Sequence, residues 1–312
     1  MLGGVVTAAS LSLLGLRHIA RLGQRQLCWE RYMKRAINKF IYEGFEMEDS
    51  SCNNKCNSVA KCDIFEFMAK YVGMTVIHPG GFEATNKLLK SLNITPNSKV
   101  IDIACGKGTT AILMAEKFGC NVVAIDIDEK LIEDAKYLAK KKGLENKITY
   151  YIGDALKLPF NDNEFDAAVS QAMLVLVDDK IKAIQEANRI IKKGGFAGWL
   201  ELSWKKEITK EFIGKVSSVI CAYCMTNVST FNGWKKIFSD AGITNLNVVP
   251  LDFTPASGGF IGMMKDEGFF RSLSIMINIM NNKEIKNRIK IMNKFFKENS
   301  EVFGCGIYYF MK

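Results

Sequence analysis

Val100-Ile101-Asp102-Ile103-Ala104-Cys105-Gly106-Lys107-Gly108 is an apolar run that ends on an acid and breaks into a glycine turn ahead of a helical pattern. This is the outline of a strand feeding a loop that can cradle a nucleoside. Glycine removes the Cβ that would hold a ligand off the backbone, and the following helix N-terminus offers free N–H groups. Gly106 to Ala111 fits G-x-G-x-x-G/A, a pattern that dinucleotide binders, other nucleoside binders and plain strand-to-helix turns all share. Two later acids narrow it. Asp126 closes the apolar run Val122-Val123-Ala124-Ile125, 18 residues past Gly108, where a carboxylate can accept both hydroxyls of a ribose. Asp154, in Gly153-Asp154-Ala155, follows Ile148-Thr149-Tyr150-Tyr151-Ile152 and can meet an adenine edge at the carboxyl ends of the strands.

Outward from this stretch the pattern alternates. Strands are expected at 99–104, 121–126, 148–152, 165–170 and 196–202, with helices at about 109–118, 129–142 and 179–191. Such alternation predicts a parallel sheet covered on both faces, because parallel strands need crossovers. Further along, a helical stretch follows Trp204, a short strand falls near 246–251, helices are expected around 267–281 and 284–298, and a final strand at Ile307-Tyr308-Tyr309-Phe310. The insertion between those two edge strands is longer than a connection needs, so it should cover something. Before the sheet, helical spacing marks 28–49 and 64–71, a polar loop separates them, and Val72 to Gly81 breaks the pattern ahead of a helix from Phe82. The expected organisation is an N-terminal helical extension over 1–80, flexible at 1–27, and a main domain over 81–312 with helical insertions at about 205–230 and 252–300.

With 312 residues and a 48% hydrophobic share, the chain can bury a large core. Its net charge of +9 would attract anionic partners, but it is spread among 42 bases and 33 acids rather than massed in tracts. It points only weakly to acidic ligands or nucleic acid, and nucleic acid is not the expected partner once the motifs after the fourth strand are read. Nine scattered cysteines predict reduced thiols and a cytoplasmic protein. Residues 1–29 lack acids and carry Arg17, Arg21 and Arg25, which is also compatible with an organelle-targeting leader. Arg17 and the glycines at 3, 4 and 15 argue against a membrane span. The spacings of Cys52, Cys56 and Cys62 and the single Cys221-x-x-Cys224 pair do not make a zinc site, and no metal is expected.

Phe165-Asp166-Ala167-Ala168-Val169 and Ile191-Lys192-Lys193-Gly194-Gly195 complete a series that resembles the class I S-adenosylmethionine-dependent methyltransferases. The resemblance runs from about Lys99 to Leu202, more loosely to Lys312, and is nearest to the small-molecule branch of ubiquinone, menaquinone and tocopherol methylases, with Pro159-Phe160 and Asp162 to Asp166 as characteristic wording. It implies a doubly wound α/β fold whose mostly parallel, seven-stranded sheet has an antiparallel last strand. It also implies the cofactor S-adenosyl-L-methionine, with Asp102 and Gly106 bordering the methionine end, Asp126 at the ribose, Asp154 and Ala155 around the adenine, and Ala104, Cys105, Gly108, Ile127 and Gln171 as further cofactor-binding residues. Two positions depart from the family pattern: Ala104 replaces the first motif glycine, and Lys107 places a cation that should point outward or pair with the methionine carboxylate.

After the fourth strand, Ser170-Gln171-Ala172-Met173 lacks the Asn-Pro-Pro-Tyr type of tetrapeptide of amino-group nucleic-acid methylases, and no Pro-Cys pair marks a cytosine C5 nucleophile. A small, apolar or aromatic acceptor is favoured. The chemistry is in-line positioning plus removal of a proton where needed. Two acid–base candidates stand out: His78, in His-Pro-Gly-Gly, and Glu201, at the end of the fifth strand. Gln171, Met173 and Trp204 are expected as pocket walls, and Phe253, Phe260, Met263, Met264, Phe269 and Phe270 as acceptor contacts from the insertion. Three other functions fit parts of the pattern. A salt-sensitive RNA methylase would exploit the charge, an NAD-dependent dehydrogenase would share the glycine turn but leaves Gly153-Asp154 and Lys193-Gly194-Gly195 without a role, and a non-catalytic protein would only bind the cofactor.

Overall fold

The computed structural model describes residues 63–220, 223–253 and 259–312. These fall within one unit, Asn54–Lys312. The chain enters by a short helix α1 (Ile64–Glu66) that widens into a π-helical turn over Phe67–Val72, followed by α2 (Gly81–Lys90). Then come β1 (Lys99–Ile103), α3 (Thr109–Phe118), β2 (Asn121–Asp126), α4 (Glu129–Lys141), β3 (Ile148–Ile152), β4 (Phe165–Gln171), α5 (Lys180–Ile190) and β5 (Ile191–Trp204). The second half holds α6 (Lys210–Ile220), β6 (Ser229–Thr230), α7 (Phe231–Asp240), β7 (Asn247–Asp252), α8 (Gly259–Glu267), α9 (Phe269–Asn281), α10 (Lys283–Glu298) and β8 (Phe303–Met311).

The strands form one sheet in the order β3-β2-β1-β4-β5-β8-β7, with the two-residue β6 pairing off that path with β5. Seven strands therefore make the continuous sheet that the sequence implies. The pairs from β3 across to β5 are parallel, whereas β8 lies antiparallel to both β5 and β7. An all-parallel dinucleotide-binding sheet has no such strand.

Alternation along the strands sorts the core onto two faces. Ile101, Ile103, Val123 and Ile125 join Ala183, Ile184, Trp234 and Phe238 beneath α5 and α7. Val100, Val122 and Ala124 join Leu88, Leu89, Met114 and Ile132 beneath α2, α3 and α4. Each fully buried Leu or Phe removes apolar surface worth about 1.5–3 kcal/mol, so the sheet is held from both sides. Phe67 and Val72, which precede the expected domain start at 81, belong to the first of these clusters.

Local chemistry fixes the helix starts. Asp128 accepts the N–H groups of Lys130 and Leu131 at the head of α4, and Asn282 does the same for Glu284 and Ile285 at the head of α10. The expected helix over 267–281 begins two residues later, because Gly268, at φ +76°, separates α8 from α9. The expected turn at Lys193-Gly194-Gly195 lies inside β5 as a bulge: pairing runs Phe165 to Ile191 and then Ala167 to Phe196. Gly194, at φ +78°, donates to the Lys312 carbonyl at 2.7 Å, and the Lys312 N–H donates to Gly195 O at 2.9 Å. The expected helix at 28–49, the leader, Cys52, Cys56, Cys62 and Cys221 lie outside the described residues.

Candidate active site

The turn after β1 is built on three left-handed residues, Ala104 (φ +58°), Gly106 (φ +53°) and Gly108 (φ +71°). Gly108 is required by close approach, since a Cβ there would stand 2.9 Å from Ala135 Cβ on α4. Gly106 is different: among the described residues nothing lies within 4 Å of where its Cβ would be, so its bare backbone is open on that side. The Gly106 N–H donates to Asp126 Oδ2 at 2.8 Å and the Asp128 N–H to Asp126 Oδ1 at 3.0 Å. Each Asp126 oxygen keeps a second lone pair for a ligand hydroxyl.

Asp102 sits one residue before the end of β1 and is buried. It accepts a hydrogen bond from the Ala111 backbone, while its Oδ2 has no partner among the described residues. Burial, and then the neighbouring Asp126 charge, push its carboxyl up to about 8. Ionised, that buried and unpartnered oxygen would accept from an ammonium group, whose positive charge would offset the cost of burying the carboxylate. Ile127, directly after Asp126, is 72% exposed, and Asp154 caps its own turn by accepting the Leu156 N–H at 2.8 Å, with Ala155 packed against the core. Carboxylate acceptors at Asp102 and Asp126 around a bare glycine backbone are donor-and-acceptor chemistry compatible with S-adenosylmethionine.

Gln171 closes β4 with its side chain held at both ends. Thr85 Oγ1 donates to Gln171 Oε1 at 2.8 Å, and Gln171 Nε2 donates to Thr110 Oγ1 at 2.6 Å. Lys107 is half-buried, with its ammonium lowered by burial and influenced by Asp134, Arg271 and Glu267. It is neither simply exposed nor free of the protein's own acids. The Cys105 thiol is pushed up by burial and by the two nearby acids, so it is a packing group rather than a nucleophile.

Beyond Ala172 a cavity of about 710 Å³ opens beneath α8, α9 and α10. Among the described residues six methionines line it, Met68, Met74, Met225, Met263, Met276 and Met292, together with Phe65, Phe253 and Phe296. Methionine suits such a wall because its unbranched thioether adapts to irregular shapes. The cover is stitched to the segment before α2. Glu267, with a fully buried side chain, accepts the N–H groups of Thr75 (2.6 Å) and Val76 (3.0 Å) and the Thr75 hydroxyl (2.6 Å), and pairs with Arg271. Asp266 accepts the Phe82 N–H, Arg271 donates to Gly73 O, and Asn278 to Tyr71 O.

His78 lines the cavity. Its Nε2 lies 3.2 Å from Thr85 Oγ1 and its Nδ1 3.4 Å from the Pro79 carbonyl. Burial lowers its pKa to about 4 against the opposing effect of Pro79, so the ring is neutral at neutral pH. Glu201 is fully buried and does not line the cavity. Its Oε1 accepts the N–H groups of Met173 (3.0 Å) and Leu174 (2.9 Å), which braces the loop entered through Ala172 at φ +55°. Burial pushes Glu201 up to about 8. Of the expected acceptor contacts, Phe253 and Met263 line the cavity. Phe269 and Phe270 are 52% and 69% exposed instead, Met173 and Trp204 pack in the core, Met264 is off the lining, and the Phe260 side chain is outside the described residues. Thr85, Thr110, Met68 and Met225 were invisible to sequence reasoning, because only the folded chain brings them to the site.

A methyltransferase domain model matches residues 101–197. The chain is 33% identical over 236 residues to an uncharacterized protein of Haemophilus influenzae, covering 73% of this chain and 90% of that one. It is 31% identical over 182 residues to a demethylmenaquinone methyltransferase of Staphylococcus saprophyticus, covering 52% and 77%. Among solved structures, phosphoethanolamine N-methyltransferase 2 of Haemonchus contortus, held with phosphomonomethylethanolamine and S-adenosylhomocysteine, superposes with a TM-score of 0.62 at 19% identity, covering 80% of this chain and 57% of that one. The chain belongs to the class I S-adenosylmethionine-dependent methyltransferase family. As a member of that family it is an enzyme that uses S-adenosylmethionine as methyl donor. Among the described residues no helix is long and apolar enough to cross a membrane.

Proposed function

We propose that the chain methylates a small acceptor of apolar or aromatic character, seated in the cavity beneath α8, α9 and α10, with residues 81–312 as the transferase domain and the segment before α2 as one of its pocket walls. The observation that carries this reading is the methionine-rich wall, which begins at Ala172, the residue after Gln171. Asp102 would hold the cofactor's amino group, Asp126 its ribose, and Ile127 with Asp154 and Ala155 its adenine, with Ala104, Cys105, Gly106 and Gly108 forming the turn around the methionine end. Bound S-adenosylmethionine supplies a sulfonium-activated methyl group. What remains for the protein is to aim the acceptor and remove its proton. His78, neutral and facing the cavity, is our candidate for that proton. A heteroatom that has gained a methyl group is acidic, so a weak base suffices. We read Glu201 as the brace of the loop after β4.

The same wall argues against a phosphorylated amine as acceptor. Among the described lining residues Lys265 is the one lysine or arginine, and it is exposed beside Asp266 and Glu83. A phosphate needs charged donors that are not already facing acids.

Transfer of labelled methyl from S-adenosylmethionine to a panel of phenols, hydroquinones, aliphatic amines and phosphoethanolamine tests this reading. Methylation of an apolar or aromatic member is expected, and turnover of phosphoethanolamine alone would overturn it.

A further inference from the structure

The geometry assigns to Thr85 the role of a positioning residue: it sets which nitrogen of His78 is protonated and which way Gln171 points, joining the acceptor cavity to the cofactor turn by one line of hydrogen bonds. This rests in part on the reading of His78 as proton acceptor, though the line itself does not.

Thr85 is fully buried on α2, and its hydroxyl meets three groups. Gly81 O lies at 3.2 Å, the carbonyl one turn back that a helical threonine takes when nothing better is offered. Gln171 Oε1 is closer, at 2.8 Å, and His78 Nε2 lies at 3.2 Å. A hydroxyl has one proton to give. Given to Gln171 Oε1 along the shortest contact, it leaves the Thr85 oxygen an acceptor toward His78. His78 must then carry its hydrogen on Nε2, and Nδ1 is the bare nitrogen.

That choice has a chemical result. When an acceptor gives up its proton, its O–H or N–H bond breaks, the electron pair stays on the acceptor atom, and an Nδ1–H bond forms. The Pro79 carbonyl, 3.4 Å from Nδ1, is already in place to receive that new N–H. At the other end, Gln171 Nε2 donates to Thr110 Oγ1 in the first turn of α3, directly after Gly108. The amide is thereby fixed with its oxygen toward α2 and its nitrogen toward the cofactor turn.

The test uses the imidazole ¹⁵N resonances of the full chain, which has two histidines, His18 and His78, so that His78→Gln assigns the signals. At neutral pH His78 is expected in the Nε2–H form. Thr85→Val should shift it toward the Nδ1–H form, whose hydrogen can still reach Pro79 O, while Thr85→Ser should keep the wild-type pattern. Calorimetry with S-adenosylhomocysteine should show about a fivefold weaker affinity in Thr85→Val, the size of one ordinary hydrogen bond, and little change in Thr85→Ser.

An Nδ1–H form in the wild type overturns the assignment. So does a Thr85→Val protein that keeps both the Nε2–H form and the wild-type affinity, and a change in one readout without the other breaks the claimed line. If Thr85→Val does not fold, the wild-type and Thr85→Ser spectra decide. Full methyl transfer by His78→Gln would remove His78 as base without touching these readouts, so the two failures are distinguishable.

Discussion

The backbone N–H of Gly106 donates to the carboxylate of Asp126 across 2.8 Å, so the turn after β1 and the end of β2 are tied together before any ligand arrives. The acid that would hold a ribose also shapes the loop that would hold the methionine end.

Replacement of Asp126 by alanine should therefore weaken S-adenosylhomocysteine binding at least tenfold, since a hydrogen bond to a charged group is worth about 1.5–3 kcal/mol. Calorimetry measures this directly. Unchanged affinity in a folded variant would remove Asp126 from the site.

Asp102 predicts a pH effect. Burial holds its carboxyl at about 8 in the fold, well above the ordinary 3.8 of an aspartate in water. The folded state thus holds the proton more tightly, and the stability that comes from the protonated form is lost as pH rises from about 4 toward 8. Asp102→Asn, which mimics the protonated form, should raise the melting temperature relative to wild type more at pH 8 than at pH 5. Thermal melts at the two values check this, and an equal effect at both would show that Asp102 is ionised in the fold.

Glu201 separates a brace from a base. Glu201→Gln keeps an oxygen for the Met173 and Leu174 amides and should retain methyl transfer within a few fold, whereas loss of a true general base costs about 10²–10⁴-fold. Glu201→Ala strands those buried donors, at about 1–3 kcal/mol each, and should melt well below wild type. A large rate loss in Glu201→Gln with normal melting would make Glu201 the base.

At Ala104 the backbone takes φ +58°, a conformation that costs a residue with a Cβ about 1–2 kcal/mol. Ala104→Gly relieves it, less the extra freedom glycine loses on folding. The expected gain is about 0.5–1 kcal/mol in chemical denaturation, with cofactor affinity kept.

Much of this was readable from the chain because it is local. β1 to β4 fall within a residue of where alternation put them, and Asp102, Gly106, Asp126 and Asp154 are marked by strand ends and glycines within a few positions. Glycine misled twice. Gly194-Gly195 reads as a turn yet bulges within a long β5, and Gly304 and Gly306 hid the first half of β8, where backbone pairing to Leu202 and Trp204 overrides weak strand propensity. The cavity was legible only as an insertion too long to be a connection. Its walls come from segments nearly the whole chain apart, such as Met68 and Met292, and no window of sequence records that meeting. Thr85 reads as one polar residue on a helix, and only its distances to His78 and Gln171 give it a role.

The six thioethers around the cavity make the enzyme answerable to oxidants. Oxidation to the sulfoxide turns a pliant apolar wall into a polar one, while the carboxylates and bare glycine backbone of the cofactor turn are indifferent to that chemistry. Sulfoxide damage would therefore fall on the grip for the acceptor rather than on Asp102 and Asp126, and methionine sulfoxide reductases would be the repair.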